Sequence, residues 1–223
     1  MERNEILSKV DHTLLRTTAT WSEIKALCDE AIAEKTASVC IAPCFVKRAV
    51  EYVNGKIPIC TVVGFPNGNC TMETKIFETE NAIANGASEI DMVINLGALK
   101  ENDYDYVERE IAALAVTCHN NNVILKVIIE TCLLDSNEIK KMCFVCASAE
   151  ADYIKTSTGF STEGANARVL KIMKETIDKN NLDLKIKAAG GIKDKLTAEV
   201  FIEIGADRLG TSKLIDILNK EEW

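Results

Sequence analysis

Eight times along this chain an apolar run of strand length is followed by a stretch with helical periodicity, and few folds accommodate that alternation. The runs cover residues 10–14, 38–42, 58–64, 89–95, 123–130, 151–156, 184–189 and 206–210. The helical stretches cover 22–34, 45–54, 71–85, 103–120, 136–149, 163–179, 194–204 and 212–219. Most runs are short, continuous and rich in β-branched residues, as parallel strands covered on both faces require. Val10-Asp-His-Thr-Leu14 is the weakest of them. Gly86 and Gly205 sit between a helix and the next strand, where a C-terminal stop belongs. The pattern predicts an α/β chain, a single (β/α)8 TIM barrel over residues 1–223 with a short extra N-terminal helix. A doubly wound open sheet competes with it, but no Gly-x-Gly-x-x-Gly follows a strand.

At 223 residues, 47% hydrophobic and 27% charged, the chain suits one soluble domain with a sizeable core. Its net charge of −8 argues against a nucleic-acid partner, which calls for a basic face. The start, Met1-Glu-Arg-Asn-Glu5, carries no apolar signal region, and no run approaches the ~20 apolar residues of a membrane span. A cytoplasmic location without membrane contact is expected. The nine cysteines are read as free and mostly buried thiols, Cys143-x-x-Cys146 included. Cys40, at the end of an early strand, is a candidate to line a pocket. No His/Cys/carboxylate cluster has ligand spacing, so no metal and no cofactor are expected.

Ionisable residues interrupt the apolar strands. Asp11, Asp91, Lys126, Lys155 and Lys187 each lie in or at the end of a different run. In a barrel such positions project toward the C-terminal mouth, where catalytic groups belong. One such residue is readily a paired ion inside the barrel; five converging on one volume read as a site. Lys155 and Lys187 fall on successive strands. Two ammonium groups ~6 Å apart at an effective dielectric of ~20 repel by ~2.8 kcal/mol, about two pKa units. With desolvation added, one amine is expected to be neutral and nucleophilic near pH 7. A neutral lysine attacks an aldehyde to give an iminium, whose neighbouring carbon becomes an enamine once it loses a proton. Asp91 is placed to move that proton, directly or through water.

Anion-binding signals follow the last two strands. Gly190-Gly191-Ile192-Lys193 comes after the seventh, and Gly210-Thr211-Ser212-Lys213 after the eighth, opening the final helix. Glycines admit backbone N–H groups to a phosphate, Ser212 is read as a helix cap and donor, and Lys193 or Lys213 adds charge.

These residues resemble one family along nearly the whole chain. The matching blocks are Asp11-His-Thr-Leu-Leu15, Val39-Cys-Ile-Ala-Pro43, Thr61-Val-Val-Gly-Phe-Pro66, Glu89 to Lys100, Leu125 to Leu134, Ile154-Lys-Thr-Ser-Thr-Gly-Phe160, Ile186-Lys-Ala-Ala-Gly-Gly-Ile192 and Arg208-Leu-Gly-Thr-Ser212. The chain resembles the deoxyribose-phosphate aldolases, class I enzymes that cleave 2-deoxy-D-ribose 5-phosphate to D-glyceraldehyde 3-phosphate and acetaldehyde. The resemblance implies Lys155 as the Schiff-base lysine, Lys187 as the lysine that depresses its pKa, and Asp91 as the general acid/base. It implies Asp11, Lys126 and Thr158 as organisers of the relay and substrate hydroxyls. It places Gly159, Gly190, Gly191, Gly210 and Ser212 in the phosphate cradle. The implied partners are small phosphosugars and aldehydes and further copies of the chain, as a homodimer or homotetramer.

Three departures accompany the resemblance. Lys213 replaces a serine or glycine, the loop Ser161-Thr-Glu-Gly-Ala-Asn166 is less glycine-rich, and the chain ends at Trp223 without the tyrosine-bearing tail of some members. The last is expected to slow proton transfer. Competing readings are another class I aldolase with different aldehyde specificity, a phosphosugar isomerase on the same barrel, and an inactive phosphosugar-binding regulator. An isomerase needs a glutamate base and no imine.

Overall fold

In a computed structural model, which describes residues 1–221, eight parallel strands close into a barrel in strict sequence order. The strands are β1 Val10–Leu14, β2 Ser38–Ile41, β3 Ile59–Val63, β4 Glu89–Val93, β5 Ile124–Ile128, β6 Tyr153–Lys155, β7 Lys185–Ala189 and β8 Arg208–Thr211. Closure is made by β8 against β1, with Asp11 opposite Gly210. The helices are α1 Arg3–Leu7, α2 Trp21–Ala33, α3 Val46–Val53, α4 Met72–Ala84, α5 Leu96–Lys100, α6 Tyr104–His119, α7 Ser136–Ser148, α8 Ala167–Asn180, α9 Lys195–Ile204 and α10 Leu214–Glu221. The expectation about the ending at Trp223 lies outside the described residues. No helix among them is long and apolar enough to cross a membrane.

The strands read as continuous apolar runs, yet the structure divides them with a period of two. Val10, Val39, Ile59, Ile90, Leu125, Val127, Ile154, Ile186 and Leu209 join one apolar cluster with the helices. Their neighbours Asp11, Cys40, Cys60, Asp91, Lys126, Lys155 and Lys187 fall outside it, inside the barrel. A small separate apolar cluster there comprises Cys40, Cys60 and Val62, with Leu15 and Phe65 packed on it. The chain therefore spends its large aliphatic side chains on the helix layer and leaves the barrel interior to sulfur and charge.

Element boundaries follow local chemistry. Helix α7 opens with a capping box, in which Asp135 accepts from the Glu138 backbone and Glu138 accepts from the Asp135 N–H. Helix α4 is capped by Thr71, and α8 by Asn166, which accepts from the Val169 N–H at 3.0 Å. That cap starts α8 at Ala167, four residues later than the expected 163. Strand β6 keeps three of the six expected residues: Ala151 and the bend at Asp152 precede it, and Thr156 already belongs to the loop at the barrel mouth. The short helix α5 was not foreseen; Asn95 caps it, but the glycine at its second position masked the signal.

Candidate active site

Three carboxylates and four cations meet inside the barrel. Asp91 on β4 accepts from Lys126 through Oδ1 at 2.9 Å, and from both Lys155 and Lys187 through Oδ2 at 2.7 Å. Lys187 also pairs with Asp11 at 2.5 Å, and Lys126 with Glu89 at 2.7 Å. Arg208 closes the network by pairing with Asp11 and, at 3.1 Å, with Glu89. Register explains the convergence: Asp91 lies opposite Lys126, Lys155 opposite Lys187, and Lys187 opposite Arg208. Desolvating an ion costs several kcal/mol, so these groups persist inside the barrel only because each has opposite charge within contact.

The charges also set the protonation states. Burial opposes ionisation of Asp91, but Lys126, Lys155 and Lys187 outweigh it and hold the carboxyl well below the usual range. Asp11 is likewise held low against its burial, by Lys187, Lys126 and Arg208. Burial pulls Lys187 and Lys126 down, yet the surrounding carboxylates raise both above the ordinary lysine value. The expected repulsion between bare ammonium groups is therefore not what governs Lys187: Asp91 stands between the two lysines and Asp11 adds a second anion. Among the three lysines only Lys155 lines the open cleft, and among the described residues its carboxylate partner is Asp91.

Lys155 forms the floor of a cleft of about 370 Å³ at the C-terminal mouth. Its walls are the β1 loop at Leu14, Leu15 and Arg16, the β6 loop at Thr158, Gly159 and Phe160, and the loops after β7 and β8. Gly159, Gly190, Gly191, Gly210, Ser212 and Lys213 all line it, with Lys193. Gly190 and Gly191 both have left-handed backbone, with φ of 75° and 77°, which turns the chain tightly there. A Cβ on Gly164 would meet the Gly190 carbonyl carbon at 2.3 Å, so the β6 and β7 loops touch through bare backbone. A cleft of about 400 Å³ at the opposite barrel end is lined by Lys9, Lys174, Lys185, Asp178, Asp183 and Asp207, none of which belongs to the interior network.

The aldolase family model for DeoC/LacD matches residues 6–214, which contain every element of this site. The chain belongs to the DeoC/LacD family of aldolases. Among relatives of this aldolase, the deoxyribose-phosphate aldolase of Streptococcus pyogenes serotype M4 is 52% identical over 99% of this chain and 97% of its own length. A crystal structure from Coccidioides immitis, assigned provisionally to deoxyribose-phosphate aldolase, superposes with a TM-score of 0.96 at 38% identity. It covers 100% of this chain and 88% of its own. The tetrameric deoxyribose phosphate aldolase of Aeropyrum pernix superposes at 0.90 with 27% identity, covering 99% of this chain and 92% of its own.

Within the aldolase, the structure brings Lys155, Asp91, Lys187, Asp11 and Lys126 into one contact network. Cys40 is fully buried beneath the cleft rather than lining it. Ser212 is not a helix cap: β8 runs through Thr211 and α10 starts at Leu214, so Lys213 occupies the cap position. Ser212 stays exposed on the cleft wall instead.

Sequence reasoning missed Glu89 and Arg208 as members of the charge network, and Glu130 behind Thr158. Glu130 is buried with left-handed backbone, φ 50°, and accepts the Thr158 N–H at 3.2 Å and its hydroxyl. That bond holds the β6 loop against the end of β5. A buried carboxylate directly after an apolar strand was the available signal.

Proposed function

We propose that this aldolase cleaves 2-deoxy-D-ribose 5-phosphate reversibly to D-glyceraldehyde 3-phosphate and acetaldehyde, with Lys155 as the Schiff-base residue. The observation that carries the reading is the shared oxygen: Lys155 and Lys187 donate to the same Asp91 Oδ2, and only Lys155 opens to the cleft. Imine formation needs a neutral amine. The network holds four cations against three carboxylates, so release of one proton leaves it balanced. Lys155, with one carboxylate partner and access to substrate, is the lysine that can give it up and react.

The steps follow from that assignment. The Lys155 amine adds to the aldehyde carbon of the open-chain sugar, and loss of water gives the iminium. A base takes the proton of the C3 hydroxyl, the C2–C3 bond breaks, and its electrons flow into the iminium to give an enamine. D-glyceraldehyde 3-phosphate leaves. The enamine carbon is then protonated and water hydrolyses the imine to acetaldehyde and free Lys155. Asp91 carries the proton in both directions through solvent, and Lys187 and Lys126 keep it anionic between steps. Asp11 orients Lys187, and Thr158, held by Glu130, meets a substrate hydroxyl. The phosphate takes the far side of the cleft, against Gly159, Gly190, Gly191, Gly210 and Ser212, with Lys213 and Lys193 supplying charge.

The same reading has the chain act in the cytoplasm as a homodimer or homotetramer without metal or organic cofactor. An isomerase is disfavoured because no carboxylate lines the cleft among the described residues, and the nearest, Asp91, is buried and held by three lysines. The test is a retro-aldol assay on 2-deoxy-D-ribose 5-phosphate coupled to reduction of the triose phosphate. Turnover in wild type and none in Lys155→Leu is the expected result.

A further inference from the structure

Two thiols sit directly below the lysine network. Cys40 on β2 and Cys60 on β3 are register partners on adjacent strands, and both side chains belong to the interior cluster. Neighbouring strands lie ~4.8 Å apart, within the Cα separation that a disulfide tolerates. The two sulfurs and an Asp91 oxygen all lie within 4.8 Å of one another. Cys60 donates to Asp91 Oδ1 at 3.2 Å and accepts from Lys126 at 3.3 Å.

This trio has the composition of a metal site, but its charge opposes one. Both Asp91 oxygens are already taken by lysines, and the Lys126 ammonium touches the Cys60 sulfur. Bond formation between the sulfurs adds no charge. We propose that Cys40 and Cys60 close a reversible disulfide inside the barrel when the protein meets hydrogen peroxide, and that a thiol reductant reopens it. The Cys40 sulfur attacks one peroxide oxygen and becomes a sulfenic acid, releasing water. The Cys60 sulfur then displaces hydroxide from it, which leaves as water with the Cys60 proton. Two thiols and one peroxide give one disulfide and two waters.

Two further observations single out this pair. The interior cluster is continuous with the cleft: Leu15 lines both, and Phe65 stacks edge-on against the cleft residue Phe160 at 5.2 Å. The proton balance also differs from the helix-layer thiols. Cys60, then Lys187 and Lys155, hold Cys40 below the ordinary thiol value against its burial, whereas burial pushes Cys60 well above it, Cys28 up to about 11 and Cys118 and Cys143 up to about 12. Thiolate character decides which cysteine reacts first.

Closing the bond removes the Cys60 S–H donor from Asp91 Oδ1 and draws the β2 and β3 side chains together under Lys155. The test maps peptides of peroxide-treated protein without reduction, after free thiols are blocked in denaturant. The expected product is the Cys40 peptide linked to the Cys60 peptide, with two hydrogens lost from the intact mass. It should appear together with loss of borohydride-trappable Lys155, and dithiothreitol should restore the trapping. Cys60→Ser should abolish the link and let Cys40 oxidise further, beyond recovery by dithiothreitol. Peroxide-treated wild type with both thiols still free, or with its linkage confined to the more exposed Cys44, Cys70 or Cys132, would overturn the proposal. The mapping uses no substrate, so it stands apart from the choice of sugar.

Discussion

Asp91 is the residue on which the whole arrangement turns, since one carboxylate serves three lysines. Lys187→Leu removes a charge next to Lys155 and frees Asp91 to hold that amine protonated. Both amines lie 2.7 Å from the same oxygen and so no more than about 5.4 Å apart; removing one charge at that distance is worth ~3 kcal/mol, so trapping at pH 7 should fall about a hundredfold. Trapping measured against pH in wild type and Lys187→Leu checks this; superimposable profiles would mean that burial alone activates Lys155. The same variant strands part of two buried carboxylates and should lose roughly 3–5 kcal/mol of stability. The network also fixes how stability depends on pH. Asp11 and Asp91 have lowered values in the fold, so their contribution is complete above ~3.9 and fades only as pH falls through the folded values. Lys126 and Lys187 have raised values, so theirs is complete below ~10.4 and fades as pH rises through the folded values. Thermal melts should show the network's contribution, taken as wild type minus Asp91→Asn, constant between those limits. A contribution that declined between pH 5 and 8 would contradict the assignment.

At the scale of elements, the loops after β6 and β7 act as a unit because Gly164 and Gly190 meet without side chains. Gly164→Ala drives a methyl group into the Gly190 backbone and should displace the anion-facing turn. A displacement near 1 Å costs on the order of 100-fold when it misaligns a substrate. The expected effect is a KM for the 5-phosphate raised about tenfold or more, with little change for unphosphorylated 2-deoxyribose; equal losses for both would point to general destabilisation. Sequence reading reached the elements well, because most strands follow a helix with a glycine or asparagine stop, as at Asn54, Gly86, Asn122, Asn181 and Gly205. It failed where a boundary depends on a particular bond. The Asn166 cap delays α8, and β8 extends to Thr211, which moves the helix start past Ser212. Among charged residues, those inside apolar runs were legible. Glu89 and Arg208 were not, since both open their strands and look solvent-facing until register sets them beside Cys60 and Lys187.

For the whole molecule, barrel closure turns five residues from distant parts of the sequence into one site. Their alternation with aliphatic side chains was hidden because both faces of each strand are buried. What the sequence did not display was the number of charges, three anions against four cations, which makes one lysine expendable as an ammonium. No metal enters the proposed chemistry, so exhaustive chelation should leave turnover intact; loss with EDTA and rescue by zinc or magnesium would refute that part. The most direct measurement is reductive trapping. Wild-type protein incubated with acetaldehyde or 2-deoxy-D-ribose 5-phosphate and reduced with borohydride should carry the added mass on the peptide holding Lys155, and Lys155→Leu should carry none. A stable adduct on Lys126 or Lys187 with Lys155 unmodified, or no adduct during measurable turnover, would contradict it.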